Sequence, residues 1–156
     1  MTLNRDYVGQ SVKSSEVLEV TQEKLRDAVA QFEEPHPAYT DPAAARELGY
    51  SAIIAPPAFA GRLWFRMVWA WPMNEPTLGR KPGSIAVLTD LRTQFYRPIM
   101  LGDRLNLTAT VRNIRPALFK REQLSIESQI SATGGELVCV TVHTLSINLA
   151  DTTGDD

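Results

Sequence analysis

Residues 58–71, Ala-Phe-Ala-Gly-Arg-Leu-Trp-Phe-Arg-Met-Val-Trp-Ala-Trp, constrain the fold of this chain more than any other stretch. They follow Pro56-Pro57 and stop at Pro72, with only Arg62 and Arg66 breaking their apolar character. A bilayer-spanning helix needs roughly 20 apolar residues, so the run is too short and too charged to cross a membrane. Read as a helix from near Pro57 to about Trp71, it has almost no polar face: Leu63, Trp64, Phe65, Met67, Val68, Trp69 and Trp71 surround it. A helix that is apolar nearly all round is normally buried. The rest of the chain therefore has to supply a wrapping.

The second half supplies it. Leu105-Asn106-Leu107-Thr108-Ala109-Thr110-Val111 alternates between apolar and polar, as do residues 124–130 and 138–142. Period-two alternation marks strands with one buried face. Gly102-Asp103 and Gly134-Gly135 read as turns between them. In residues 138–142 the valines set the expected inward phase, which puts His143 on the other face, at the surface or a dimer interface. The first half is helical: Thr21 caps a helix carrying Leu25, Ala28, Val29 and Phe32, and Asp41-Pro42 opens a short one that Gly49 closes. Helices followed by a run of antiparallel strands define an α+β chain. Residues 1–150 are expected to form one domain and residues 151–156 a disordered polar tail.

Several function classes fall away on composition. Hydrophobic residues make up 44% of the 156 and charged residues 22%, with a net charge of -2, so there is no basic footprint for nucleic acid. Cys139 is the only cysteine and sits among Leu137, Val138 and Val140, as a structural thiol does. Two histidines more than a hundred residues apart and one cysteine give no metal-ligand spacing. No phosphate-cradling glycine loop points to a nucleotide cofactor. The polar first ten residues lack a secretory core segment, and the cytoplasm is the expected compartment.

Between the two helical stretches lies Glu34-Pro35-His36-Pro37-Ala38-Tyr39-Thr40-Asp41-Pro42. It resembles the Asp-x-Asn-Pro-x-His loop of MaoC-like (R)-specific enoyl thioester hydratases. Glu34 stands at the Asp position, Tyr39 at the His position and His36 where that family has Asn. Further pieces keep the family's order: Tyr7-Val8-Gly9, Ile54-Ala55-Pro56-Pro57, Gln94-Phe95-Tyr96-Arg97-Pro98 and Gly102-Asp103-Arg104-Leu105. Together they are similar to the N-terminal, FAS1-like dehydratase domain type, which includes the non-catalytic subunit of mycobacterial heterodimeric (3R)-hydroxyacyl-ACP dehydratases. The resemblance implies a hot-dog fold, in which a curved antiparallel sheet wraps a long apolar central helix. It also implies hydro-lyase chemistry on acyl-CoA or acyl-ACP in fatty-acid or polyketide metabolism, with no cofactor.

Adding or removing water across the α,β bond requires a base near the α-carbon and an acid near the β-oxygen. Glu34, His36 and Tyr39 are the candidates, but a phenol, with a reference pKa of about 10, is a poor base at neutral pH. Each also has a plain structural reading: solvated carboxylate, loop-fixing hydrogen bond and packing aromatic. The helix N-terminus at Ala58, Phe59 and Ala60 offers N–H groups to a thioester oxygen, and Trp64 is either core or acyl-tunnel lining. Arg62 and Arg66 read as a carrier-phosphate contact or as a polar stripe. The altered dyad matches a subunit that binds the acyl chain within a homodimer or heterodimer, a second hot-dog subunit holding the intact Asp/His pair. Two alternatives stand beside it: a stand-alone dehydratase or thioesterase using Glu34 and His36, and a non-enzymatic acyl-binding protein.

Overall fold

The computed structural model describes residues 2–33 and 35–148. Six strands, β1 (Ser11–Lys13), β2 (Leu18–Glu19), β3 (Ala86–Phe95), β4 (Arg104–Ala117), β5 (Arg121–Ala132) and β6 (Leu137–Asn148), form one antiparallel sheet. Its order is β1-β4-β5-β6-β3, with β2 also on β4. Three α-helices accompany it, α1 (Gln22–Phe32), α2 (Pro42–Glu47) and α3 (Ala58–Met67). The caps follow the sequence: Thr21 accepts from the Lys24 N–H at 3.3 Å, and Asp41 from the Ala43 N–H at 2.9 Å with Pro42 first in α2. This is the expected α+β hot-dog architecture, with α3 as the central helix.

Alternation along the long strands sorts their side chains. Leu105, Leu107, Ala109 and Val111 of β4, Leu124, Ile126 and Ile130 of β5, and Leu145 and Ile147 of β6 are all buried. From α3, Phe59, Ala60, Leu63 and Trp64 join the same core. Trp64 is fully buried and anchors the helix end by donating its indole N–H to the Trp71 carbonyl at 2.8 Å.

Two expectations are corrected. The central helix stops at Met67 and does not reach Trp71. Val68 leaves the helical region, and Trp69 and Ala70 take positive φ (52° and 53°) as the Ala70 N–H folds back onto the Trp64 carbonyl at 3.1 Å. Its apolar character is also not all interior: Phe65 is 49% exposed and Trp69 79%. The second correction is the phase of β6. A register shift after Ile130 turns Cys139, Thr141, His143, Leu145 and Ile147 inward, so His143 is fully buried. One irregularity in pairing reverses which face every following residue occupies. His143 sits under α3, its Nε2–H donating to the Gly61 carbonyl at 2.7 Å and its ring 4.7 Å from that of Trp64. Burial lowers its pKa, because the charged imidazolium would lose its water, and the Gly61 contact opposes this in part. The expected tail, residues 151–156, lies outside the described residues.

Candidate functional site

Three backbone ties gather distant segments at one end of the sheet. The Ile54 N–H donates to the Ala38 carbonyl at 3.1 Å, Ala55 to Ile99 at 2.7 Å and Leu101 to Ile53 at 2.9 Å. The loop after α1, the approach to α3 and the segment after β3 therefore meet. Between them lies a cleft of about 420 Å³ lined by Tyr39, Tyr50, Ile54, Ala55, Pro57 and residues 95–98. Its walls are apolar and aromatic with three phenol groups, a composition suited to an acyl chain with a few oriented polar atoms.

One end of the cleft is held rigid by Arg97. Its guanidinium makes a two-pronged bond to Asp103 (2.8 and 3.0 Å) and reaches Glu136 at 3.1 Å, while Asp103 also accepts from the Met100 N–H at 2.8 Å. The Asp103 bond is the main cause that raises the pKa of Arg97, so it stays charged. That charge is already matched by two carboxylates. Arg97 therefore shapes the cleft and offers little net positive charge to a ligand.

Of the expected site residues, Tyr39 lines the cleft with His36 packed beside it, while Phe59, Ala60 and Trp64 are core residues. Glu34 lies outside the described residues. His36 is exposed and caps the turn Pro37–Tyr39: its Nδ1 accepts from the Ala38 N–H at 3.1 Å, leaving Nε2 as the protonated nitrogen of the neutral ring. Its ring packs 5.3 Å from Tyr39, yet only Tyr39 lines the cleft. At the start of α3, the Phe59 and Ala60 N–H groups turn back onto the Pro56 and Pro57 carbonyls (2.9 and 3.3 Å). Phe59, Ala60 and Trp64 are buried in the core, and Ala58 is half-buried. Arg62 lies 4.6 Å over the Phe32 ring and bonds Gln31, a contact between helices. Among the described residues no group of three His, Cys, Asp or Glu side chains is placed to hold a metal. Cys139 is buried, and its thiol is pushed up to about 12 by loss of solvent, an inert setting.

Neither Tyr50 nor Tyr96 is among the candidate site residues read from the sequence, although Tyr96 lies in the family piece Gln94-Phe95-Tyr96-Arg97-Pro98. Both stand beside glycine or proline-bearing loops, where a large aromatic has no helical or strand role to explain it. That was the available signal.

A curved sheet around one central helix, with the cleft at the helix N-terminal end, defines a hot-dog protein. The chain belongs to the family described as FAS1-like, dehydratase domain region, whose model matches residues 6–141. Relatives named only as UPF0336 proteins include one from Thermobifida fusca, 35% identical over 147 residues (94% of this chain, 95% of that one). Another, from Streptomyces avermitilis, is 31% identical over 151 residues (97% and 99%). Among solved structures, the (3R)-hydroxyacyl-ACP dehydratase complex HadBC of Mycobacterium tuberculosis superposes with a TM-score of 0.77 at 24% identity, covering 92% of this chain and 99% of the HadBC chain. A MaoC-like dehydratase gives 0.76 at 25% identity, over 93% of this chain and 43% of that chain. No helix among the described residues is long and apolar enough to cross a membrane.

Proposed function

We propose that this chain is one subunit of a (3R)-hydroxyacyl thioester dehydratase or enoyl thioester hydratase, acting in the cytoplasm on acyl-CoA or acyl-ACP. It holds the acyl thioester while a second hot-dog subunit supplies the Asp/His pair. The observation that carries this reading is the cleft itself, whose described lining is apolar and aromatic with three phenol groups and Arg97, the last already paired with Asp103. Water addition or loss needs a base and an acid within reach of the substrate. The tyrosine hydroxyls can orient a carbonyl, and the nearest imidazole is turned to its own loop.

The edge of the sheet supports the partner. On β3, Leu88, Leu91 and Phe95 stand opposite the inward residues Leu145, His143 and Cys139, so they face the helix side, yet they are 43%, 42% and 38% exposed. Phe65 of α3 flanks them, 49% exposed. The outer edge of β3 pairs with no strand among the described residues. An apolar inner face beside an open edge is covered when a second subunit extends the sheet. The finding that one structural relative is the HadBC complex agrees with such pairing.

Isothermal titration with saturated hexanoyl-CoA tests the binding half, since that thioester cannot be hydrated. Binding to the wild-type chain is expected, with Tyr50→Ala and Tyr96→Ala each weakening it by about tenfold, or 1.4 kcal/mol. Affinity that is absent, or unmoved by both substitutions, would remove the cleft from the proposal.

A further inference from the structure

The hairpin joining β4 to β5 ends in a feature that the dehydratase reading leaves unused. Beyond a register irregularity at Arg112 the strands pair continuously from Asn113 opposite Ser125 to Ala117 opposite Arg121, leaving Leu118, Phe119 and Lys120 as the tip. Leu118 is 78% exposed and Phe119 89%, the latter the most exposed large apolar side chain among the described residues. Phe119 and Lys120 both hold positive φ, 58° and 53°. That region is taken readily by Gly, Asn or Asp and is disfavoured for a bulky side chain. The turn therefore breaks its own chemistry to present a leucine and a phenylalanine to solvent, a local conflict of the kind that marks functional positions.

Charge is arranged around the same point. Residues 112–121 contain Arg112, Arg115, Lys120 and Arg121 and no Asp or Glu, in a chain of net charge -2. Arg112 is matched by Glu127, but Arg115 bonds the neutral Gln123 at 2.8 Å and Arg121 the neutral Ser146 at 2.7 Å. The next acid, Glu122, is buried and already bonded to Arg5 and the Leu3 N–H. Three cations with no carboxylate partner among the described residues thus form a collar one step behind an apolar apex. The tip belongs to the β4–β5 hairpin, and β6 stands between that hairpin and the β3 edge at which a second subunit is proposed to pair.

We propose that this tip docks the protein on an anionic bilayer surface, Leu118 and Phe119 entering the headgroup–acyl boundary and Arg115, Lys120 and Arg121 meeting the headgroups. The order of the side chains selects this occupant: apolar groups foremost with cations behind them match the layering of a bilayer, whose hydrocarbon lies beneath its negative charge. A convex tip of this kind needs no complementary pocket. Residues 58–71 are too short and too charged to span a bilayer, and peripheral docking requires no spanning segment.

Co-sedimentation of the full chain with vesicles decides it. The protein is expected to pellet with phosphatidylcholine vesicles containing phosphatidylglycerol, to stay in solution with phosphatidylcholine alone, and to be released by high salt. Lys120→Glu changes two charges and should lower the partition coefficient roughly 25-fold, at about fivefold per charge near the surface. Leu118→Ser with Phe119→Ser should abolish pelleting, while Trp69→Ser, at an equally exposed tryptophan elsewhere, should leave it unchanged. Unaltered circular dichroism shows that the tip variants remain folded. Protein that stays in solution with anionic vesicles, or pelleting that survives both tip variants, overturns the proposal.

Discussion

The two histidines of this chain occupy opposite extremes, and the contrast explains how the molecule is built. His36 sits in the loop whose sequence pointed to chemistry, but it is exposed and its Nδ1 is spent on the Ala38 N–H. His143, on a strand that looked routine, is fully buried beneath the central helix, bonded to Gly61 and packed on Trp64, its Nδ1 without a hydrogen-bond partner among the described residues. One histidine fixes a surface turn and the other fixes the helix on the sheet. A residue's chemistry follows from what surrounds it, and in this fold the reactive-looking site and the perturbed imidazole are in different places.

Substitutions break the comparison in a definite order. Trp64→Ala, which empties the site against which His143 packs, should cost about 3–5 kcal/mol by chemical denaturation. His143→Ala should cost roughly 2–3 kcal/mol, and His143→Leu much less, since it removes the unpartnered nitrogen while keeping the volume. Arg97→Ala, at the cleft, should cost about 1–3 kcal/mol, because Asp103 keeps only the Met100 N–H. His36→Ala should cost no more than about 1 kcal/mol, the value of one exposed turn bond. A loss at His36 equal to that at His143 would erase the distinction.

Acid sharpens the same contrast. His143 has a lowered pKa when folded and its ordinary value near 6.5 when unfolded. Below about pH 6.5 the unfolded chain therefore binds the extra proton first, and stability falls with falling pH until the folded pKa is reached. The slope from this one group is at most about 1.4 kcal/mol per pH unit. Denaturation midpoints measured from pH 7.5 to 5 should show the decline in wild type and a shallower one in His143→Leu. An identical slope in both would assign the acid sensitivity elsewhere.

Much of the fold was legible because local chemistry and tertiary demand agree. Thr21, Asp41-Pro42 and the alternation of residues 105–111 and 124–130 specify their elements with no help from distant parts. The apolar run at 58–67 required a wrapped helix, and the sheet supplies it. What escaped depends on long-range geometry. The phase of β6 turns on a register irregularity that no pattern within residues 138–142 records. The short strands β1 and β2 exist because β4 offers them an edge. Of the site residues, Tyr39 and Tyr96 lie in pieces legible through the family resemblance, whereas their meeting with Tyr50 in one cleft depends on the ties of residues 53–55 to 99–101.

The claim that this chain binds a thioester without converting it is tested most directly by following the loss of enoyl absorbance when the purified protein meets crotonyl-CoA and a longer enoyl-CoA. The account predicts no hydration by the chain alone, from folded protein, and turnover only when a second hot-dog subunit with an intact Asp/His pair is added. Steady turnover by the chain alone, abolished by His36→Ala or Glu34→Gln, would contradict it and make this loop a catalytic dyad in its own right.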